Sequence, residues 1–182
     1  MHYLQFGAAL TVIVGFLLLR AAITAYGHDS ILARIGSATG VATLAVFAVN
    51  MAVDCIALKQ SVDAWAAAPP DERAARYASA ETVRWLEWGA NAFFQILLGT
   101  TVILFGLAIV RTVVVAAIIG YVATGAGIGL VANGLLTGLD GFVASPLAPV
   151  SMLLFLLAST GIAIDGQRRR PNGRPVLVFR RT

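Results

Sequence analysis

Residues 85–110 read WLEWGANAFFQILLGTTVILFGLAIV, and Glu87 is the only charged side chain among them. A helix of about 20 apolar residues crosses the roughly 30 Å hydrocarbon core of a bilayer. In lipid every backbone N–H and C=O must be satisfied internally, which a helix does along its own length. This stretch therefore reads as a membrane span, and it sets the class of the chain. It also carries a polar stripe. Glu87, Asn91 and Gln95 recur every four residues, so they share one helix face.

The rest of the chain agrees. It has 182 residues, 59% hydrophobic and 12% charged, with a mean hydropathy of +0.85. Soluble domains carry about 25% charged residues. A single globular core cannot bury this much apolar surface and leave a wettable exterior. Barrel strands would alternate over about 10 residues, whereas these apolar runs are continuous. Five apolar stretches emerge, near 3–22, 35–58, 85–110, 112–139 and 147–165. The expected fold is all-α: a polytopic membrane helical bundle. Residues 1–165 form one transmembrane domain, and 166–182 form a basic cytoplasmic tail.

The N-terminal MHYLQFGAALTVIVGFLLLR has no basic n-region, and no small-x-small cleavage site follows it. It is read as a span that stays. Orientation follows from Lys and Arg in the short loops. The tail GQRRRPNGRPVLVFRRT carries Arg168, Arg169, Arg170, Arg174, Arg180 and Arg181, so it is expected in the cytoplasm. Counting back places Arg111, Arg20 and Arg34 inside as well. Residues 59–84 and the N-terminus fall outside.

Helix two has no strong breaker before Pro69-Pro70. Asp29 or Ser30 can cap its start. Pro70 suits the first position of the next helix, with Asp71 and Glu72 in its first turn. Both helices then outrun the bilayer, so helices two and three form a long hairpin that projects on the outer side. Antiparallel pairing sets Asp63 opposite Arg76, Lys59 near Glu81 and Asp54 near Arg84. On a straight helix Asp54 lies about half a turn out of phase with Asp63, so at most two of these pairs can share one seam. Trp65, Tyr77, Trp85 and Trp88 suit the interfacial aromatic belt.

Asn50 and Asp54 lie four apart on helix two. Their expected depth matches Arg84, Glu87 and Asn91 on helix three. Polar groups in a span are costly and face a protein interior or a water-filled cavity. Asn50, Asp54, Arg84, Glu87, Asn91 and Gln95 thus form a candidate polar site for a proton, a cation or a polar headgroup. The plainer reading is an interhelical polar seam, because amides in spans hold helices together. Gly36 and Gly40, Gly125 and Gly129, and Gly134 and Gly138 are small-xxx-small pairs expected to pack helices closely. Asn133, in the glycine-rich fourth span, is expected to point at a neighbouring helix.

Several chemistries find no support in the residues. Cys55 stands alone, and His2 and His28 have no metal-ligand partners. No phosphate loop, HExxH or GxSxG occurs, and Ser159-Thr160 has no recognisable base partner. No cofactor is expected. The net charge of +4 sits largely in the tail, which argues for anionic lipid rather than nucleic acid.

The stretch DCIALKQSVDAWAAAPPDERAARYASAETVRWLEWG (residues 54–89), followed by a glycine- and leucine-rich span, resembles uncharacterised bacterial multi-span membrane proteins grouped as domain of unknown function 4386. The resemblance covers about a third of the chain. Proteins of that type often have a further span, where this chain has five. The resemblance implies a bacterial inner-membrane protein and carries no catalytic residues. The expected function is therefore non-catalytic: a helical bundle in the bilayer that binds a membrane partner protein or lipid. The alternative is a small homo-oligomeric transporter or proton-coupled carrier using Asp54 and Glu87.

Overall fold

The computed structural model describes residues 2–26, 30–112, 114–142 and 145–168. The tail beyond Arg168, and His28 and Asp29, lie outside the described residues. The chain runs α1 (His2–Ala25), α2 (Ile31–Ala52), a π-helical segment (Val53–Leu58), α3 (Lys59–Ala66), α4 (Arg73–Thr112), α5 (Ala117–Asp140) and α6 (Leu147–Arg168). Helix α2, the π segment and α3 form one continuous helical rod, Ile31–Ala66. Five helices are thus long and apolar enough to cross a membrane.

Local sequence explains the ends. Ser30 caps α2, its hydroxyl accepting from the Ala33 N–H at 3.4 Å. The Pro69 carbonyl accepts from the N–H groups of Glu72 and Arg73, both at 3.1 Å. Helical bonding therefore begins at Pro70, as its fixed φ and missing N–H favour, just before the regular span of α4. Helix α5 ends at Gly141, whose φ of +75° is a conformation that glycine adopts without strain. Pro149 falls in the first turn of α6, where a proline breaks no helical bond.

The rod of 36 residues and the 40-residue α4 are about 54 and 60 Å long at 1.5 Å per residue. They pair side by side as an antiparallel hairpin about the Pro69-Pro70 tip. Facing contacts run along its length. The Thr101 hydroxyl donates to Thr39 Oγ1 at 2.9 Å. Phe47 meets Phe94 at 4.5 Å between ring centroids, and Trp65 meets Tyr77 edge-on at 5.5 Å.

The bundle is built on α4 and α5, the two most buried helices. Helix α5 packs on one side of α4 and the rod on the other; α6 packs on α5 and α1 on α2. Phe16 of α1 ties the layers together. It stacks on Phe105 of α4 at 4.9 Å and meets Phe155 of α6 at 6.4 Å. Val102, Ala123, Ala126, Leu130 and Ala158 form one buried cluster, and Ile23, Ala33, Phe105 and Ala108 a second.

Glycine sets the closest approach. A Cβ on Gly99 would lie 2.6 Å from the Gly127 carbonyl oxygen, and one on Gly127 the same distance from that of Gly99. Gly106 and Gly120 repeat this reciprocal fit. The helix backbones of α4 and α5 therefore touch directly at two levels. The operative spacing is seven residues (Gly99 and Gly106; Gly120, Gly127 and Gly134), where the sequence pattern suggested four. Of the expected pairs, Gly36 packs on Phe105, Gly40 on Thr101, Gly129 on Ser151, and Gly134 and Gly138 on Ala92. Gly125 has nothing within 4 Å, so it packs no helix in this chain. A spacing of four identifies a face but not which face meets a neighbour.

Candidate functional site

The six polar residues expected to form one site divide into two groups. The first is a chain of amides. Gln95 donates from Nε2 to Asn91 Oδ1 at 2.5 Å, and Asn133 donates from Nδ2 to Gln95 Oε1 at 2.5 Å. Asn133 is buried in α5. The polar stripe of α4 therefore turns at its deeper end towards α5, away from helix two. In hydrocarbon an amide without partners is costly, and this arrangement satisfies three of them across the central helix pair.

The second group lies between the rod and α4. Asn50 ends its last regular α turns at 2% exposure, and its Oδ1 has no hydrogen-bond donor among the described residues. Asp54 follows in the π segment, half-buried. Glu87 of α4, also half-buried, stands within electrostatic reach of both Asp54 and Arg84. A π turn carries an extra residue and is frequent at functional sites. It also resets the phase between Asp54 and Asp63 that a straight helix would give. Nothing in the local sequence announces it, since π turns have no strong residue signature.

Lys59, Asp63 and Arg76 take partners on their own helices rather than across the hairpin. Lys59 pairs with Asp63 on its own helix, and Arg76 pairs with Glu72 at 3.3 Å. Trp65, not Asp63, takes the place opposite Tyr77. Intrahelical i,i+4 pairs are available at no cost to the aromatic contact between the helices.

Arg84 instead lies over the Trp88 ring, 5.9 Å from its centroid. Both line a half-open cleft of about 350 Å³ between the end of the rod and the start of α4. Trp65, Tyr77, Glu81 and Trp85 complete its polar and aromatic lining, over Leu58 and Val62. Trp88 is wedged edge-on against Phe142 at 6.2 Å and against Gly141, where a Cβ would sit 2.8 Å from the ring. Its indole N–H is buried without an acceptor among the described residues. The sequence marked these aromatics only as a headgroup-level belt. Their distribution on both sides of the hairpin tip was the available sign that they could close on one another.

The described residues contain no group of three His, Cys, Asp or Glu able to hold a metal ion. Comparison with protein-family models, curated proteins and solved structures finds no match.

Proposed function

We propose that this chain is a non-catalytic membrane protein, a five-span bundle that binds a lipid or a membrane partner through its long hairpin. One observation carries the reading. Asn91, Gln95 and Asn133 bond to one another, so the amides that might have lined a path through the bilayer act as a clasp between α4 and α5. The cleft in the hairpin arm, by contrast, is open among the described residues. The positive-inside bias of the tail and of Arg111 supports the reading that this arm stands on the outer face of a bacterial inner membrane. The likeness of residues 54–89 to the domain-of-unknown-function-4386 type is consistent with this location.

A second reading, a small oligomeric carrier working between the rod and α4, is favoured by the donorless Asn50 Oδ1 and by the acidic residues beside it. Reconstitution in liposomes separates the two. A non-catalytic bundle gives the same proton flux as protein-free vesicles, with or without Asp54→Asn and Glu87→Gln. Flux that either substitution abolishes would overturn the bundle reading in favour of the carrier.

A further inference from the structure

We propose that the hairpin cleft receives the zwitterionic phosphodiester headgroup of a bilayer lipid, with Arg84 on the phosphate and Glu81 and the aromatic rings on the ammonium. The inference rests on the reading of the protein as a lipid- or partner-binding bundle, and names the ligand class of its open site.

The charges argue for a ligand with two poles. Arg84 and Glu81 lie three residues apart on α4, neighbouring positions on one helix face. Both line the cleft. Among the described residues neither takes a salt-bridge partner within 4 Å. A cleft wall with one cation, seated over the Trp88 ring, and one carboxylate suits a ligand carrying one charge of each sign, and a simple anion would meet repulsion from Glu81.

The rings argue for the positions of the poles. Trp65 and Tyr77, on the Glu81 side, present aromatic surface, which attracts an ammonium group electrostatically. On the other side, Arg84 is a donor at the cleft wall, and a phosphate oxygen is an acceptor that suits its guanidinium. The size is right as well. A cleft of about 350 Å³ lies at the small end of ligand sites, enough for a headgroup but not for acyl chains. Leu58 and Val62 give the cleft an apolar floor, against which the first carbons of the chains can lie. Trp and Tyr gather at headgroup depth, the level at which such a ligand is present at high local concentration.

The test uses the full chain in detergent, titrated with short-chain phosphatidylethanolamine, phosphatidylcholine and phosphatidylglycerol, with tryptophan fluorescence as the readout. Saturable binding of the two zwitterionic lipids is expected, with phosphatidylglycerol weaker. Arg84→Gln weakens the zwitterionic lipids by roughly tenfold, the scale of one lost charge-assisted hydrogen bond. Glu81→Gln removes the preference over phosphatidylglycerol. Both side chains lie at the cleft surface, and circular dichroism confirms that each variant folds. Equal binding of all three lipids by the unaltered chain, or an unchanged preference in Glu81→Gln, would overturn the proposal. Equally tight binding of soluble phosphoethanolamine would assign the cleft to a free headgroup and overturn the lipid as its source. The outcomes are separable from those of the flux assay. Loss of lipid preference leaves the non-catalytic bundle standing, and proton flux through Asp54 or Glu87 leaves the lipid titration intact.

Discussion

Gln95 is the residue on which the polar stripe turns. It accepts from Asn133 and donates to Asn91, so its replacement leaves two amides without their partner. Gln95→Leu is expected to destabilise the bundle by about 0.5–2 kcal/mol, the range for hydrogen bonds between spans, read as a lowered unfolding midpoint in detergent. The double variant with Asn133→Leu should cost less than the sum of the two single changes, because the partners of one bond do not act independently. Asn50 presents the opposite case. Among the described residues its Oδ1 gains no bond, so Asn50→Leu is expected to leave stability unchanged or raise it. A fall of more than about 2 kcal/mol would reveal a donor that Asn50 needs. Sequence spacing placed Asn91 and Gln95 on one helix face and turned Asn133 towards a neighbouring helix, as their bonds show. It could not assign their partners. Gln95 sits on the edge of its face, and only the position of α5 determines that it bonds to Asn133.

At the scale of elements, glycine governs how closely α4 and α5 approach. Gly127 sits where the helices touch backbone to backbone, while Gly125, two residues earlier, faces open space. Gly127→Val is therefore expected to force the pair apart and cost at least about 1–3 kcal/mol, the usual penalty of overpacking. Gly125→Val is expected to be nearly silent. Thermal unfolding of the two variants in one detergent checks the contrast, and equal losses would contradict the proposed seam. Gly141→Ala meets a different obstacle, a positive φ and the Trp88 ring. It is expected to shift Trp88 fluorescence even where the bundle survives. The existence and number of the helices were legible because a span requires a long apolar run, and breakers such as Pro69-Pro70 and Gly141 are local. The seam was not legible, because every span is rich in small residues and composition does not say which of them meet.

At the scale of the whole molecule, the distribution of Arg and Lys makes a single topological statement. Nine basic residues are assigned to the inner side, and Lys59, Arg73, Arg76 and Arg84 to the outer. A cysteine introduced at the tip, Asp71→Cys in a Cys55→Ser background, is expected to react with a membrane-impermeant thiol reagent on intact cells. A reporter fused after Thr182 is expected to be active in the cytoplasm. Labelling at position 71 only after lysis would reverse the threading. Asp63 and Arg76 pair within their own helices for a reason that belongs to this scale. Exposed ion pairs contribute about 0–1 kcal/mol each, too little to set the register of two long rods. The register follows instead the larger contacts of Phe47 with Phe94 and Trp65 with Tyr77.

The π turn at Val53–Leu58 bears on how the chain tolerates changes of length. Such a turn accommodates one residue more than an α turn while keeping the faces of the flanking helix aligned. Removing a residue there, for example Ile56, which is exposed, would relax the segment to ordinary helix and leave Trp65 facing Tyr77. Removing Ala90 from regular helix would instead twist the arm by about 100° against the bundle, pulling the cleft apart with every side chain that lines it still present. The chain thus holds one spare residue in its 36-residue rod, and the bearing of the arm depends on where a residue is lost as much as on which.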